Sequence, residues 1–170
     1  MSQVADPESI ALIPVDLPNL RRLAASEAVD LGAMAIPDGA LPPAKVATRA
    51  LTQLELGTPP FWCVPFLVVS EARQSVLGGC GFKTAPVNGT VEISYGVARS
   101  ERGRGVATAA VERLLQLAAS TGLVQQVVAH ILPDNVASSR VVSRLGFSSG
   151  QALVDSDGET VVPWVRRIAP

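Results

Sequence analysis

Metal-binding and cross-linking side chains are scarce in this sequence. Its 170 residues hold two cysteines, Cys63 and Cys80, and one histidine, His130. Two cysteines cannot build the disulfide framework of a small secreted fold. With a single histidine they cannot build the usual Cys/His zinc site either, so no metal is expected. Both sit in apolar stretches and read as small buried hydrophobes in a reducing compartment. Aromatic residues make up only 4% against 48% apolar residues overall, so the core has to be built mainly from Val, Leu, Ile and Ala. No apolar run approaches the ~18 residues of a membrane span. Residues 1–9 lack the basic-then-apolar pattern of a signal peptide. A soluble, cytoplasmic protein is the resulting expectation, with no membrane partner. The net charge of −1 argues against a nucleic-acid binder that works by bulk positive charge. The length suits one domain over residues 1–170, with residues 1–8 expected to be a disordered lead.

The remaining pattern alternates strands and helices. Residues 10–15 read as a strand, and Asp16 followed by Pro18 starts a helix to about residue 28. Residues 30–43, rich in Gly and Pro, read as irregular. Residues 45–56 have helical spacing and stop at Gly57. Strands are expected at 61–70, with Pro65 marking an edge or bulge, and at 76–84. Asn88-Gly89 is a hairpin signal. It leads into a strand at 90–98, with Val91, Ile93 and Tyr95 on one face and Glu92, Ser94 and Gly96 on the other. A helix follows from Gly105 to about Thr121, with an apolar stripe of Ala107, Ala110, Val111, Leu114 and Ala118. Gly122 closes it, with Leu123 as the expected hydrophobic contact of the cap. The nearly continuous apolar run 124–132 reads as a central strand buried on both faces. A helix from 135 to 145, stopped by Gly146, and a hairpin over 147–168 complete a mixed α/β (α+β) pattern with one compact sheet.

The chemistry concentrates at Arg102-Gly103-Arg104-Gly105-Val106-Ala107, between a strand and the best helix. Backbone N–H groups converge at a helix start, and Arg102 and Arg104 add charge, so the turn suits an anion such as a phosphate. Taken alone, the six residues are equally served by a tight turn with solvated arginines. The turn is not a Walker loop, because Gly105 is followed by Val106 rather than Lys-Ser/Thr. A dinucleotide fingerprint is incomplete, since Thr108 stands where the third glycine belongs. A Gly-x-Ser-x-Gly nucleophile elbow is absent.

With Arg102, Gly105 and Ala107 in the pattern Arg-x-x-Gly-x-Ala, and Asn135, Ser138, Arg140 and Leu145-Gly146-Phe147 downstream, the sequence resembles the GNAT superfamily of acyl-CoA-dependent N-acetyltransferases. Pro133-Asp134-Asn135-Val136-Ala137-Ser138 and the Glu92-Ile93-Ser94-Tyr95 strand are similar to the branch containing ribosomal-protein N-terminal acetyltransferases. The close resemblance covers about residues 77–147. It implies a GNAT fold with a mixed, mostly antiparallel sheet of about seven strands, splayed between the fourth and fifth, and about four helices. It implies acetyl-CoA as co-substrate, its arm paired with backbone groups of Gly96, Val97 and Ala98. Its pyrophosphate would lie on the amides of Arg102, Gly103, Arg104, Gly105, Val106 and Ala107, the Asn135 side chain would contact the cofactor near the arm, and Ser138 would be a further cofactor-binding residue. A GNAT-like module that binds CoA without catalysis, and an unrelated phosphate-binding domain, are the alternatives.

Acetyl transfer to an amine requires loss of a proton, a donor for the oxyanion and departure of a thiolate. Glu92 is the candidate base, acting directly or through water, and a backbone N–H near Gly96–Val97 is the candidate oxyanion donor. Many members of the family carry a leaving-group acid, a tyrosine, seven residues after the motif Asn. Val142 stands there and cannot donate. An α-amine with pKa near 8 costs about 1.4 kcal/mol to deprotonate at pH 7, against about 4–5 kcal/mol for a lysine amine near 10.4. An α-amine of a protein N-terminus, or a similarly weak small-molecule base, is therefore the expected acceptor. His130 beside the cleft is a further candidate for proton transfer, and Trp62 and Trp164 are candidates to line the acceptor pocket. That pocket is expected from residues 16–60 and 150–165. Both a monomer and a homodimer fit the sequence.

Overall fold

The computed structural model describes residues 10–168; the expected disordered lead lies outside them. The described residues form an eight-stranded sheet flanked by four α-helices. Strand β1 (Ile10–Pro14) pairs antiparallel with β2 (Phe66–Ser70), β2 with β3 (Ser75–Phe82), and β3 with β4 (Thr90–Val97). Strand β5 (Gln126–Ile131) lies parallel to β4 and antiparallel to β8 (Thr160–Arg167). Two short strands, β6 (Ser148–Ser149) and β7 (Leu153–Val154), both pair with β8. The expected final hairpin is thus present, with its first arm split in two. The β4–β5 seam is short. Register runs from Thr90↔Gln126 to Ile93↔Ala129, while β4 continues to Val97 and β5 to Ile131. Beyond residue 93 the two strands part, which is the expected splay.

Helices α1 (Leu17–Ala24) and α2 (Ala44–Glu55) share a core with Val15, Leu67, Val69 and Val76 on one face of the sheet. Helix α3 (Val106–Thr121) and Val142 of α4 (Val136–Arg144) share a second core with Val91, Ile93, Val127 and Ala129 on the other face. Alternation along β4 assigns the faces as the sequence pattern requires: Val91 and Ile93 are buried against α3, and Glu92 points to the α1–α2 side.

The differences from expectation have local causes. The second expected strand begins only at Phe66. Pro60–Trp62 is instead a 3₁₀ turn, favoured by the fixed φ of Pro59 and Pro60, and Pro65 has no N–H to enter a ladder. Helix α1 ends at Ala24, not residue 28. Ser26 takes the left-handed conformation (φ 56°) and the bonds Ser26 N–H to Leu23 O and Glu27 N–H to Arg22 O close a Schellman cap without the usual glycine. Leu123 does not fold back on α3. It is 62% exposed, and the next residue, Val124, is buried in its stead. Helix α4 and the Asn88-Gly89 turn, with φ of 50° and 75°, match their sequence signals.

Candidate active site

The sheet's two halves open around β4. In the β3–β4 ladder Ala98 N–H donates to Leu77 O and Lys83 N–H donates to Glu92 O. Even-numbered residues of β4 therefore turn their backbone groups toward β3, and odd-numbered ones toward β5. Past residue 93 there is no β5 partner, so Tyr95 and Val97 present unpaired N–H and C=O groups to the opening. Ala98 does not contribute as expected. Its N–H is held by Leu77 O and its C=O accepts from Glu101 N–H, so both groups are engaged. Gly96 directs its backbone toward β3 but leaves open space where a side chain would stand, with nothing within 4 Å of a built Cβ.

One side of the opening is a cleft of about 610 Å³ lined by Tyr95, Gly96, Val97 and the turn residues Arg102, Gly103, Gly105, Val106 and Ala107. Across it stand Asn135, Ser138, Arg140 and Arg144 of α4 and its cap. Gly105 is the N-cap of α3 in the left-handed region (φ 77°), a conformation that only glycine adopts without strain. The first-turn N–H groups of α3 have no intrahelical acceptors and open into the cleft. The Asn135 side chain caps α4 by accepting from Ser138 N–H at 3.1 Å, which leaves its own amide N–H groups to a ligand. Tyr95 crosses the cleft to donate its hydroxyl to Ser138 O at 3.1 Å, tying β4 to α4. Val142 is fully buried in the core, so that position faces away from the cleft and carries no acid.

No sequence signal marks Glu101. This carboxylate is 5% exposed at the cleft wall, where it takes two hydrogen bonds from Arg73, at 3.1 and 2.9 Å, and has Arg104 at 3.6 Å. The Arg73 bonds hold its carboxyl below the usual value against the opposing effect of burial, and Arg104 adds to them. Arg73 lies 28 residues away, in the β2–β3 turn, and no local motif marks it. Arg144 likewise joins Arg140 on the cleft side of α4 through the four-residue helical spacing.

On the other side of β4 lies a smaller chamber of about 290 Å³. It is lined by Leu41, Pro42, Pro43, Val46, Gly79 and Ser94, among others, and shares Tyr95, Gly96, Val97 and Arg102 with the cleft. No carboxylate lines it. Part of it comes from the expected segment 16–60 and none from 150–165. Trp62 packs instead in the core against Phe61 and Phe82, at 4.6 and 5.0 Å between ring centroids. Trp164 borders a groove outside α4 with its indole N–H unpartnered. Cys80, at the chamber floor, is buried, and burial pushes its thiol up to about 12, so it is no nucleophile at neutral pH.

Glu92 stands one same-face step before Ser94 on β4. Its Oε1 accepts from the Lys83 ammonium and lies 2.8 Å from His130 Nδ1. Burial alone would raise its carboxyl, but the hydrogen bonds from Lys83 and His130 outweigh burial and hold it below the ordinary value. The Arg49 guanidinium of α2, lowered by burial, feels the charges of Glu92 and of Asp157 in the β7–β8 turn.

The Acetyltransferase (GNAT) domain family model matches residues 11–148. Two curated relatives are similar: the uncharacterized N-acetyltransferase YjdG of Bacillus subtilis, 30% identical over 83 residues (48% of this chain, 49% of the relative), and the uncharacterized N-acetyltransferase p20 of Bacillus licheniformis, 29% identical over 91 residues (53% and 51%). The chain spans about half the length of the curated relatives it matches. Among solved structures, the fold is similar to the RimL ribosomal L7/L12 alpha-N-protein acetyltransferase, with TM-score 0.65 at 19% identity over 98% of this chain and 97% of that one. It is similar also to the aminoglycoside acetyltransferase AAC(6')-Ib in complex with coenzyme A, with TM-score 0.66 at 17% identity over 94% and 95%. Among the described residues no helix is long and apolar enough to cross a membrane.

Proposed function

Because the chain belongs to the GNAT acetyltransferase domain family, we propose that it moves the acetyl group of acetyl-CoA directly to a primary amine, the α-amine of a protein N-terminus or of a small molecule. The observation that carries this is the opened β4. Its unpaired Tyr95 and Val97 groups lie between a cationic cleft on one side and a mostly apolar, carboxylate-free chamber on the other. The pantetheine arm would pair with Val97 and pass over Gly96. The pyrophosphate would sit on the amides of residues 102–107, with Asn135, Ser138 and Arg140 beside it. The thioester would then lie at the junction of cleft and chamber, where Val97 N–H is the oxyanion donor. Glu92 is the carboxylate on which removal of the amine proton depends. An apolar chamber without an acidic wall favours an amine with a small neutral neighbour over a polycation. The donor is a cytoplasmic metabolite, so the proposal carries a cytoplasmic setting with it, as monomer or homodimer.

The test combines calorimetry and turnover. Acetyl-CoA should bind at micromolar affinity, and peptides with small neutral N-terminal residues should release CoA thiol faster than N-terminally blocked peptides bearing lysine. Binding without turnover of any amine would make the protein a CoA-binding module instead. Lysine side chains reacting while free N-termini do not would overturn the choice of acceptor.

A further inference from the structure

The side chains just outside the chamber are arranged so that one nitrogen is left free. The last pair of the β4–β5 seam is Ile93↔Ala129, and the next residues, where the strands part, are Ser94 and His130. Val127 and Ala129 face the α3 core with Val91 and Ile93, so alternation turns His130 to the same side as Glu92. The two meet at 2.8 Å, Nδ1 to Oε1. Lys83 bonds the same oxygen. An ammonium can only donate, so Glu92 is the acceptor and ionised. His130 must then carry its hydrogen on Nδ1, which fixes the neutral imidazole in the tautomer whose Nε2 has a bare lone pair. The His130 side chain keeps 25% of its surface exposed. Protonating Glu92 would weaken its ion pair with Lys83 and its bond to His130, so the neutral imidazole is the better proton acceptor of the two. The charged groups about this pair are Lys83 of β3, Arg49 of α2 and, beyond Arg49, Asp157, while Arg167 of β8 lies on the same face farther along, opposite Gln126. The β8 residue opposite His130 is Pro163, which does not titrate.

We propose that the proton leaving the acceptor amine is taken by Nε2 of His130 through one water, and that Glu92 is a positioning residue that holds the imidazole. This rests on the acetyl-transfer function above. The ammonium form of the acceptor passes one proton through the water to Nε2. The neutral amine then attacks the thioester carbon, a C–N bond forms, and the C–S bond breaks. The departing thiolate takes up the second proton, which the new amide nitrogen loses. The imidazolium returns the first proton to solvent, so the net release is one proton per acetyl group transferred. Neither Glu92 nor His130 lines the chamber, and the first lining residue on their face, Ser94, follows Glu92 about 7 Å along β4, so the proton path from the amine runs through water rather than by direct contact.

The test is the pH dependence of kcat and kcat/KM with acetyl-CoA and an N-terminal peptide, for wild type, His130→Asn, His130→Gln and Glu92→Gln, with acetyl-CoA affinity and Tm measured on each. Asn places an amide donor near the Nδ1 position and can keep the bond to Glu92, but it lacks Nε2. His130→Asn should fold, bind acetyl-CoA as wild type does, lose at least 100-fold in kcat and lose the acidic limb of the profile. Added imidazole should restore part of the rate. Glu92→Gln should lose about tenfold and keep the limb with a moved midpoint. A His130→Asn enzyme that retains rate and limb, while Glu92→Gln loses both, would overturn the proposal in favour of direct proton transfer to Glu92. A merely structural role predicts that Asn rescues what Gln does not. A wild type that binds acetyl-CoA and acetylates no amine would overturn acetyl transfer itself, and this assignment with it.

Discussion

On the proposed function, the donor side and the acceptor side of β4 are built in different ways. The donor side is backbone: strand groups left unpaired at Tyr95 and Val97, and the amides of a turn that ends in a left-handed Gly105. The acceptor side is side chain, and its parts come from far apart. Residues 41–46 precede and begin α2, Ser94 and Gly96 come from β4, and Arg49 and Lys83 flank Glu92. A backbone site tolerates many side chains but depends on a few conformations. A side-chain site is the reverse, so acceptor preference is free to change while the donor side stays fixed.

The sharpest way to break this contrast is Gly105→Glu. It places an L-residue in the left-handed region and a negative charge among amides oriented toward an anion. Acetyl-CoA affinity should fall by at least about 100-fold in calorimetry while the protein still melts cooperatively; unchanged affinity would remove the anion seat from the turn. Next in size is Arg73→Ala, which asks whether the donor side is backbone alone. Glu101 would keep only Arg104, and the loss should be about 1–3 kcal/mol in urea unfolding at pH 7, discounted for the partly exposed arginine. The sign with pH follows from the depressed Glu101 carboxyl. Its contribution is full above the unfolded carboxylate value near 4.3 and is lost as pH falls through the lower folded value. The gap between wild type and variant should therefore close below about pH 4. A gap that persists there belongs to packing. The smallest effect is expected from Val46→Asp at the chamber wall. It should raise the KM of a neutral N-terminal peptide by about tenfold, improve relative use of a diamine, and leave acetyl-CoA affinity unchanged. A change in acetyl-CoA affinity would mean that the two sides are not separable.

Legibility in the sequence follows the same division. Turn, capping and strand alternation are local, so Gly105, Asn135, Gly122, the Asn88-Gly89 hairpin and the faces of β4 could be read directly. The end of α1 could not, because Ser26 closes its cap in a conformation normally signalled by glycine. Leu123 and Val124 are equivalent to a hydrophobicity rule, and only packing distinguishes the exposed one from the buried one. Arg73 and Glu101 meet across 28 residues, and Glu92 and His130 across 38, through a register that exists only once the sheet is assembled. The engaged backbone of Ala98 is hidden from the sequence for a related reason: which way a strand residue turns its N–H depends on the ladder parity set by its partner, here Leu77.

The four-residue seam between β4 and β5 has a mechanical meaning. Strands β1–β4 form one flap and β5, β8 and β6 another, joined by that seam, by α3 and by the Tyr95–Ser138 tether. On the proposed function, a donor arm seated against Tyr95 and Val97 would supply the missing rungs between the flaps. At a free concentration 100 times its dissociation constant, such a ligand adds about 2.7 kcal/mol to the folded state. The resistance of the protein to proteases would then follow the supply of that donor: when it runs short, the flaps would loosen.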